Sequence, residues 1–331
     1  MVNSFWQDKR VITTGSAGFL GCWLSNGLAD AGAQVIGLDI KIEPKSNFYN
    51  FNLKKKIKQL HLDIKDHDRL KSVFKKQEPE YIFHLAAQPI VTIANKNPVQ
   101  TFENNIKGTW NVLEVARNCN PSPEGIIIAS SDKAYGIHEK LPYTEHARLQ
   151  GSYPYDVSKS CTDLIAQSYF RTFGMNIGIT RSGNFYGGGD LHFDRIVPGT
   201  IKSLLHEEQP IIRSDGRFIR DYIYIKDIVN GYALLAQKIK QVKGNAFNFS
   251  TENPIDVITI VKLITSLMQK HHLQPKILNE AKSEIKAQYL SSKKARMLLE
   301  WMPRYSLERG LKETITWYET YFEKNKNKNK K

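Results

Sequence analysis

The sequence predicts an α/β protein whose main domain is a doubly wound parallel sheet, followed by a smaller α/β domain. Short β-branched runs alternate with amphipathic stretches through the first half, and the segments become mixed and rich in loops after Gly183. We therefore expect residues 1–183 to form the first domain, with a returning segment near 221–250, and residues 184–323 to form most of the second. Residues 324–331 hold five lysines and three asparagines and predict a basic, disordered tail.

The individual elements follow from the same alternation. The predicted strands of the first half are residues 10–14, 34–38, 58–62, 81–85, 125–130 and 176–181. The predicted helices between them are residues 20–31, 68–76, 99–118 and 154–173. The second half predicts strands at 211–212, 221–225 and 246–249 and a final helix over about 307–321. Because parallel strands place ligands at their carboxyl ends, the second domain is expected to cover that edge of the sheet.

Composition excludes several classes of protein. The net charge is +14, but the lysines are scattered and no nucleic-acid-binding module is visible, so we predict no nucleic-acid partner. No apolar run approaches the roughly 20 residues of a membrane helix. The first strand begins at Arg10, which leaves no room for a signal peptide. These features predict a cytoplasmic protein with no membrane partner.

The cysteines give no evidence for a disulfide framework or a metal site. Cys22, Cys119 and Cys161 are an odd, widely spaced set. All three fall in predicted helices, where a free cysteine usually packs as a small apolar residue. We predict no bound metal.

A glycine-rich loop predicts a dinucleotide site. Residues 14–21 follow the first strand and open the first helix, with Gly15, Gly18 and Gly21 at a G-x-x-G-x-x-G spacing. Gly15 permits the tight turn, Gly18 lets the backbone approach a pyrophosphate, and Gly21 lets helix and strand pack closely. Asp39 ends the second strand 18 residues after Gly21, as the acidic residue of a Rossmann site does.

The acidic residues of this site favour NAD as the cofactor. The Asp39 carboxylate can accept hydrogen bonds from ribose hydroxyls and would repel a 2′-phosphate, although Lys41 and Lys45 leave NADP open. Asp63 ends the third strand and can accept from the adenine amino group. An Asp at the end of a strand is also typical of turns.

A second motif predicts proton transfer beside the dinucleotide. Tyr155 and Lys159 lie four residues apart in a predicted helix, so they share one face. The Lys159 ammonium is expected to lower the pKa of the Tyr155 phenol, which could then accept a proton from a sugar hydroxyl. Ser131, after the fifth strand, can donate to the same sugar oxygen.

Together these motifs resemble the NAD-dependent epimerase/dehydratase family of extended short-chain dehydrogenases, over nearly the whole chain. The matching stretches are residues 15–21, 84–89, 105–109, 130–136, 155 with 159, 181–187, 220–227, 294–296 and 301–303. The resemblance implies cofactor contacts from Gly15, Ala17, Gly18, Phe19, Leu20, Gly21, Asp39, Asp63, Ile64, Leu85, Ala86, Ala87, Gln88, Tyr155 and Lys159. It implies substrate contacts from Gln88, Ser131, Asn184, Arg213 and Arg220, with Arg220 on a diphosphate.

Within the family, Asp132 and Lys133 resemble the pair that follows the catalytic Ser or Thr in CDP-glucose 4,6-dehydratases. The resemblance implies that Ser131, Asp132, Lys133, Tyr155 and Lys159 are catalytic. Asp132 would protonate the departing carbon-6 hydroxyl, whereas Lys133 replaces the usual Glu that removes the carbon-5 proton. The implied product is a nucleotide-linked 4-keto-6-deoxyhexose, formed with transient reduction of NAD.

Other functions stay open at this point. They are a nucleotide-sugar 4-epimerase, a decarboxylase or a 5,6-dehydratase on the same scaffold, and a non-catalytic NAD-sensing regulator. The nucleotide is also open. The helices predicted at 99–118 and 154–173 match those of the dimer interface in relatives, which implies a homodimer.

Overall fold

The computed structural model describes residues 4–280 and 285–328, and in this part of the chain seven parallel strands form the main sheet. Its strands are β1 Arg10–Thr14, β2 Gln34–Asp39, β3 Lys58–His61, β4 Tyr81–His84, β5 Gly125–Ala129, β6 Ile177–Ser182 and β11 Ala246–Phe249. Their order across the sheet is β11-β6-β5-β4-β1-β2-β3. β1 pairs in parallel with β2 on one side and with β4 on the other, so the direction of chain order reverses between β1 and β4. That reversal opens a crevice at the carboxyl ends of the strands.

Helices cover both faces of the main sheet, and others belong to the second half of the chain. In order, the helices of the described residues are α1 Phe19–Asp30, α2 Asn47–Asn50, α3 Leu53–Lys56, α4 His67–Gln77, α5 Val91–Lys96, α6 Pro98–Phe102, α7 Gly108–Arg117, α8 Pro154–Phe173, α9 Ile196–Leu205, α10 Ile225–Gln237, α11 Ile239–Val242, α12 Val257–Leu267, α13 Lys293–Leu299 and α14 Leu307–Lys328. Short 3₁₀ turns span Ser4–Trp6 and Asp132–Tyr135, and a π-helical turn, Glu103–Lys107, joins α6 to α7.

The central strands are almost continuously apolar because helices bury both of their faces. Ile126, Ile127 and Ile128 of β5 are at most 1% exposed, and Ile12 of β1 is fully buried. Side chains from α1 and α10 pack on one face, and side chains from α4, α7 and α8 pack on the other. The α/β fold class predicted from the alternation is therefore confirmed, with strand ends within one or two residues of those expected.

The second half adds small sheets above the carboxyl edge. Their strands are β7 Asn184–Tyr186, β8 Ile211–Ile212, β9 Ile219–Arg220, β10 Tyr222–Tyr224, β12 Ile255–Asp256, β13 Lys276–Ile277 and β14 Ala287–Gln288. β10 pairs with β7, β9 lies between β12 and β14, and β13 pairs with β8. β11 returns to the main sheet beside β6, while β10 belongs to the smaller sheets.

Two local predictions are wrong. Cys119 lies after the end of α7 rather than inside a helix, since that helix ends at Arg117 and its C-cap is Asn118. The predicted disordered tail starts at Lys324, but α14 continues to Lys328 because helix propagation adds a backbone hydrogen bond per residue and lysine is a good helix former. Residues 329–331 lie outside the described residues.

Among the described residues, no helix has both the length and the apolar composition needed to cross a bilayer.

Candidate active site

A cavity of about 1140 Å³ opens at the carboxyl edge of the main sheet, below the small sheets. This volume exceeds the roughly 300 to 1,000 Å³ of a typical small-molecule site, so it can hold two ligands side by side. All of the predicted site residues belong to the described part of the chain, and Gln88 alone is missing from the cavity lining. The others are Gly15, Ala17, Gly18, Phe19, Leu20, Gly21, Asp39, Asp63, Ile64, Leu85, Ala86, Ala87, Ser131, Asp132, Lys133, Tyr155, Lys159, Asn184, Arg213 and Arg220.

The glycine loop forms a cradle that larger residues would fill. Gly15 has φ +71°, and a Cβ there would lie 2.8 Å from the Ala86 backbone nitrogen. A Cβ on Gly21 would lie 2.0 Å from the Gly15 carbonyl oxygen. Helix α1 begins directly after Gly18, which has no side chain to cap it, so its first N–H groups and its positive end face the cavity. This cradle fits the pyrophosphate of NAD.

Asp39 and Asp63 border the same end of the cavity. One Asp39 oxygen accepts from the Ala17 N–H at 2.9 Å, and the other accepts from the Ile40 N–H at 2.8 Å. Burial raises the pKa of Asp39 and these backbone donors oppose the shift. Asp63 accepts from the Lys65 N–H at 2.9 Å. Asp39 thus lies against the glycine loop, where a ribose would be bound.

Burial is the largest cause of the pKa shifts of Tyr155 and Lys159. The Lys159 ammonium donates to the Ala129 carbonyl at 2.8 Å, and burial lowers its pKa to about 8. Burial raises the pKa of Tyr155, and the Ser131 hydroxyl and the Arg195 charge oppose this only in part. The expectation of a lowered Tyr155 pKa is therefore wrong for this structure, because desolvation outweighs the Ser131 hydroxyl and the Arg195 charge.

The Asp132 carboxyl forms the adjoining wall. It is 5% exposed and accepts from the Ser131 hydroxyl at 3.0 Å. Burial raises the pKa of Asp132, while Lys133 and Arg220 act in the opposite direction. The Lys133 N–H donates to the Ser131 hydroxyl at 3.2 Å and so begins the 3₁₀ turn. The Ser131 hydroxyl thereby holds Asp132 and Lys133 at the end of β5 through two hydrogen bonds.

The predicted substrate residues differ in their surroundings. Asn184 is exposed on β7 at the cavity wall. Arg213 pairs with Asp194 at 2.5 Å, and more than half of each side chain is exposed. Arg220 is 7% exposed and donates to the carbonyls of Ile219 and Ile285. Arg220 is thus a buried, well-oriented cation at the cavity surface.

Gln88 is the one predicted site residue that lies outside the cavity lining. Its side-chain amide donates to the Ile90 carbonyl at 3.0 Å and to the Thr101 hydroxyl at 3.3 Å. Its backbone N–H donates to Asn105 at 2.7 Å. These bonds tie the Gln88 side chain to its own loop and to α6, and Gln88 does not line the cavity.

A buried polar network behind the site was not predicted. Asn105, in the π-helical turn, donates to the Ser158 hydroxyl at 2.9 Å, and Ser158 donates to the Tyr155 carbonyl at 2.7 Å. His84 contacts the hydroxyls of Thr14 and Thr109 at 2.8 and 3.0 Å. The network joins the start of the glycine loop to helix α8, which carries Tyr155 and Lys159. The matched stretches 84–89 and 105–109 contain these residues, but sequence spacing does not reveal their contacts.

Arg195 and Asp190 were also missed. Arg195 precedes α9 and pairs with the buried Asp190 at 2.8 Å. Both line the cavity, and the positive charge of Arg195 acts to lower the pKa of Tyr155. The surrounding sequence contains charged residues of both signs, so no pattern distinguishes Arg195 from a surface arginine.

Comparison with known proteins agrees with this geometry. Residues 12–314 match the GDP-mannose 4,6 dehydratase family. The CDP-glucose 4,6-dehydratase of Salmonella typhimurium is 30% identical, over 96% of this chain and 92% of that protein. The UDP-glucuronate 4-epimerase of Thermodesulfobacterium geofontis is 28% identical, over 92% and 95% respectively.

A solved structure gives the same result for the fold. The UDP-glucose 4-epimerase of Thermotoga maritima, solved with UDP-glucose, superposes with a TM-score of 0.87 at 27% identity, over 94% of this chain and 99% of that one. The relatives therefore include both dehydratases and epimerases. The chain belongs to the NAD-dependent epimerase/dehydratase family of extended short-chain dehydrogenases, which act on nucleotide-sugars.

Proposed function

We propose that the protein is an NAD-dependent 4,6-dehydratase that converts a nucleotide-linked hexose to its 4-keto-6-deoxy form. The observation that carries this proposal is Asp132, a buried carboxyl in the cavity wall next to Ser131. Its raised pKa favours the protonated acid, which can give a proton to a departing hydroxyl. An epimerase needs no such acid because no water leaves.

The neighbouring residues would handle the proton at carbon 4. Tyr155 would take the proton of the carbon-4 hydroxyl, and Ser131 would hold the same oxygen by hydrogen bonding. Lys159 would hold the nicotinamide ribose. Bound NAD would supply the chemistry of accepting a hydride from carbon 4 and returning it to carbon 6. The residues that would hold NAD are the glycine loop, Asp39 and Asp63.

The base that removes the carbon-5 proton would be Lys133 or a group close to it. This residue adjoins Asp132 in the 3₁₀ turn and lines the cavity. An amine can act as a base only when it is neutral. A carbonyl at carbon 4 acidifies the carbon-5 proton, which reduces the basicity that this step requires.

The substrate would be an anionic nucleotide-sugar. Arg195, Arg213 and Arg220 line the cavity, and Arg195 directly precedes α9. A guanidinium matches the oxygens of a diphosphate, and Arg195 and Arg220 are held in place by Asp190 and by backbone carbonyls.

A nucleotide-sugar 4-epimerase is the second candidate, because relatives of similar identity carry that activity. It would use Tyr155, Ser131 and Lys159 in the same way and would not require Asp132 as an acid.

The deciding experiment is mass spectrometry of the protein incubated with CDP-, dTDP-, GDP- and UDP-hexoses in deuterated water. A dehydratase removes one water from its substrate and adds one solvent deuterium. Asp132→Asn should reduce turnover by about 10²- to 10⁴-fold, as expected for loss of a general acid. Unchanged substrate mass, together with interconversion of 4-epimers by the Asn variant, would instead establish the epimerase.

A homodimer is part of the proposal. The helices α6, α7 and α8 pack together on one face of the sheet and leave large apolar side chains exposed, among them Val99, Trp110, Leu164 and Phe173. A second copy of the chain would cover them.

A further inference from the structure

We propose that the glycine run 187–189 is a latch beside the cofactor half of the cavity, and that Trp23 and Asn47 are positioning residues that set how long NAD stays bound. The inference rests on the proposed function, in which one bound NAD is regenerated in each turnover and need not leave.

The Gly188 carbonyl joins two separate segments. It accepts from the Trp23 indole N–H at 2.9 Å and from the Asn47 side-chain amide at 2.8 Å. Trp23 belongs to α1, which starts at the glycine loop. Asn47 is 1% exposed and opens α2, directly after the loop 40–46 that follows Asp39. Since a carbonyl oxygen has two lone pairs, these donors can fill its acceptor capacity.

The glycines allow this close approach. Gly189 has φ +96°, and a Cβ there would lie 1.9 Å from the Asn47 amide nitrogen. A Cβ on Gly188 would lie 2.2 Å from the Trp317 ring. The run is therefore enclosed between α2 and α14, and larger residues could not bring the carbonyl to both donors.

Residues on both sides of the latch form the cavity wall. Tyr186 precedes it and Asp190 follows it, and both line the cavity. Phe185, next to Tyr186, stacks on Phe19 with 5.8 Å between ring centroids, and Phe19 is the first residue of α1. Asp190 is held at its backbone oxygen by the Tyr318 hydroxyl at 2.6 Å.

This arrangement predicts slow release of NAD. The latch lies between the start of α1, where a pyrophosphate would bind, and the loop 40–46, whose Ile40, Lys41 and Glu43 line the ribose end. The Gly188 carbonyl links α1 to the start of α2, so moving these two segments apart breaks at least one of its hydrogen bonds. Breaking contacts that close a site mainly changes the dissociation rate.

The test compares latch variants with matched controls. Trp23→Phe removes the indole donor and keeps an aromatic ring, and Asn47→Asp replaces the amide donor with an acceptor. Trp301→Phe and Asn176→Asp are the controls, because they remove similar side-chain donors to the carbonyls of Asp227 and Glu124, outside the cavity. Each protein is loaded with isotopically labelled NAD, freed of excess nucleotide and followed during exchange against unlabelled NAD.

Trp23→Phe should accelerate NAD release by about fivefold and the double variant by at least about tenfold, as the loss of one or two hydrogen bonds implies. The controls should release NAD at the rate of the unaltered protein. If circular dichroism shows that the double variant is unfolded, the NAD release rate of the Trp23→Phe variant alone tests the latch.

Equal release rates in latch variant and unaltered protein would overturn the latch, as would equal acceleration in the controls. A chain that binds no NAD at all would overturn the cofactor assignment and the latch together. Faster release from the latch variants, in a protein that removes no water from any nucleotide-hexose, would support the latch and reject the dehydratase.

Discussion

Burial, more than neighbouring charge, sets the protonation of the residues around the candidate catalytic centre. It raises the pKa of Tyr155 and lowers that of Lys159 to about 8. It also lowers the pKa of His84 to about 3, so this imidazole is neutral between Thr14 and Thr109. An active site built in this way holds its charged groups at a cost in stability.

Lys159→Met should abolish turnover and raise the free energy of unfolding at neutral pH. The pKa of Lys159 falls from its ordinary value of 10.5 to about 8 on folding. Below that pH the folded protein holds the buried ammonium at a cost of about 3 kcal/mol. Methionine has a similar length and no charge, so it removes this cost.

The pH dependence gives a second check on Lys159. Between about pH 8 and 10.5 the unfolded chain binds more protons than the folded chain, so the unaltered protein gains stability as the pH rises. The advantage of the Met variant should therefore shrink across this window. Urea unfolding of both proteins at about pH 7 and about pH 10 measures it. A Met variant that is less stable at neutral pH contradicts the prediction.

At the scale of elements, strand β1, its glycine loop and helix α1 form one unit whose packing depends on missing side chains. The Gly15 carbonyl occupies the space where a Gly21 side chain would stand. The π-helical turn before α7 has a comparable role, because it places Asn105 between the loop after β4 and helix α8. Such turns are often found at functional sites.

Gly21→Ala should weaken NAD binding by about ten- to a hundredfold, which corresponds to an overpacking cost of about 1 to 3 kcal/mol. The new Cβ would stand 2.0 Å from the Gly15 carbonyl and push α1 away from the loop. Equilibrium dialysis with NAD measures the change.

Gly174→Ala is the control for Gly21→Ala. Gly174 ends α8 with φ +66°, and no atom lies within 4 Å of the place that a Cβ would take, so alanine there strains the backbone without a clash. It should lower stability by about 1 kcal/mol and leave NAD affinity unchanged. Equal NAD affinity in both variants would count against a tight cradle.

At the scale of the whole molecule, the helices on one face of the main sheet present an apolar outer surface that the single chain does not cover. Trp110 on α7 and Leu164 on α8 are 43% and 52% exposed, and Phe173 at the end of α8 is 49% exposed. The adjoining parts of both helices pack on the sheet through Val112, Leu113 and Ala166. The helices therefore have one buried face and one exposed apolar face.

Leu164→Glu should convert the proposed dimer to a monomer, because a carboxylate would be buried between two copies without a partner. Leu298→Glu is the control, since Leu298 is 45% exposed on α13, outside this surface. Sedimentation velocity measures the mass of the unaltered protein and of both variants. The dimer is rejected if the unaltered protein sediments as a monomer, or if both variants sediment alike.

The sequence by itself determined the fold class, the dinucleotide loop with Asp39, and the positions of Ser131, Asp132, Tyr155 and Lys159. Hydrophobic periodicity and glycine spacing, which are local properties of the chain, gave the fold class and the loop. The end of the fifth strand and the four-residue spacing gave Ser131, Tyr155 and Lys159, and the family resemblance gave Asp132. The protonation of Tyr155, the orientation of Gln88, the network of His84 and Asn105 and the latch at Gly188 were decided only by the tertiary structure. Each depends on burial or on contacts between segments far apart in sequence, such as the 165 residues that separate Trp23 from Gly188. Desolvation and long-range hydrogen bonds arise from packing, and a linear pattern does not specify them.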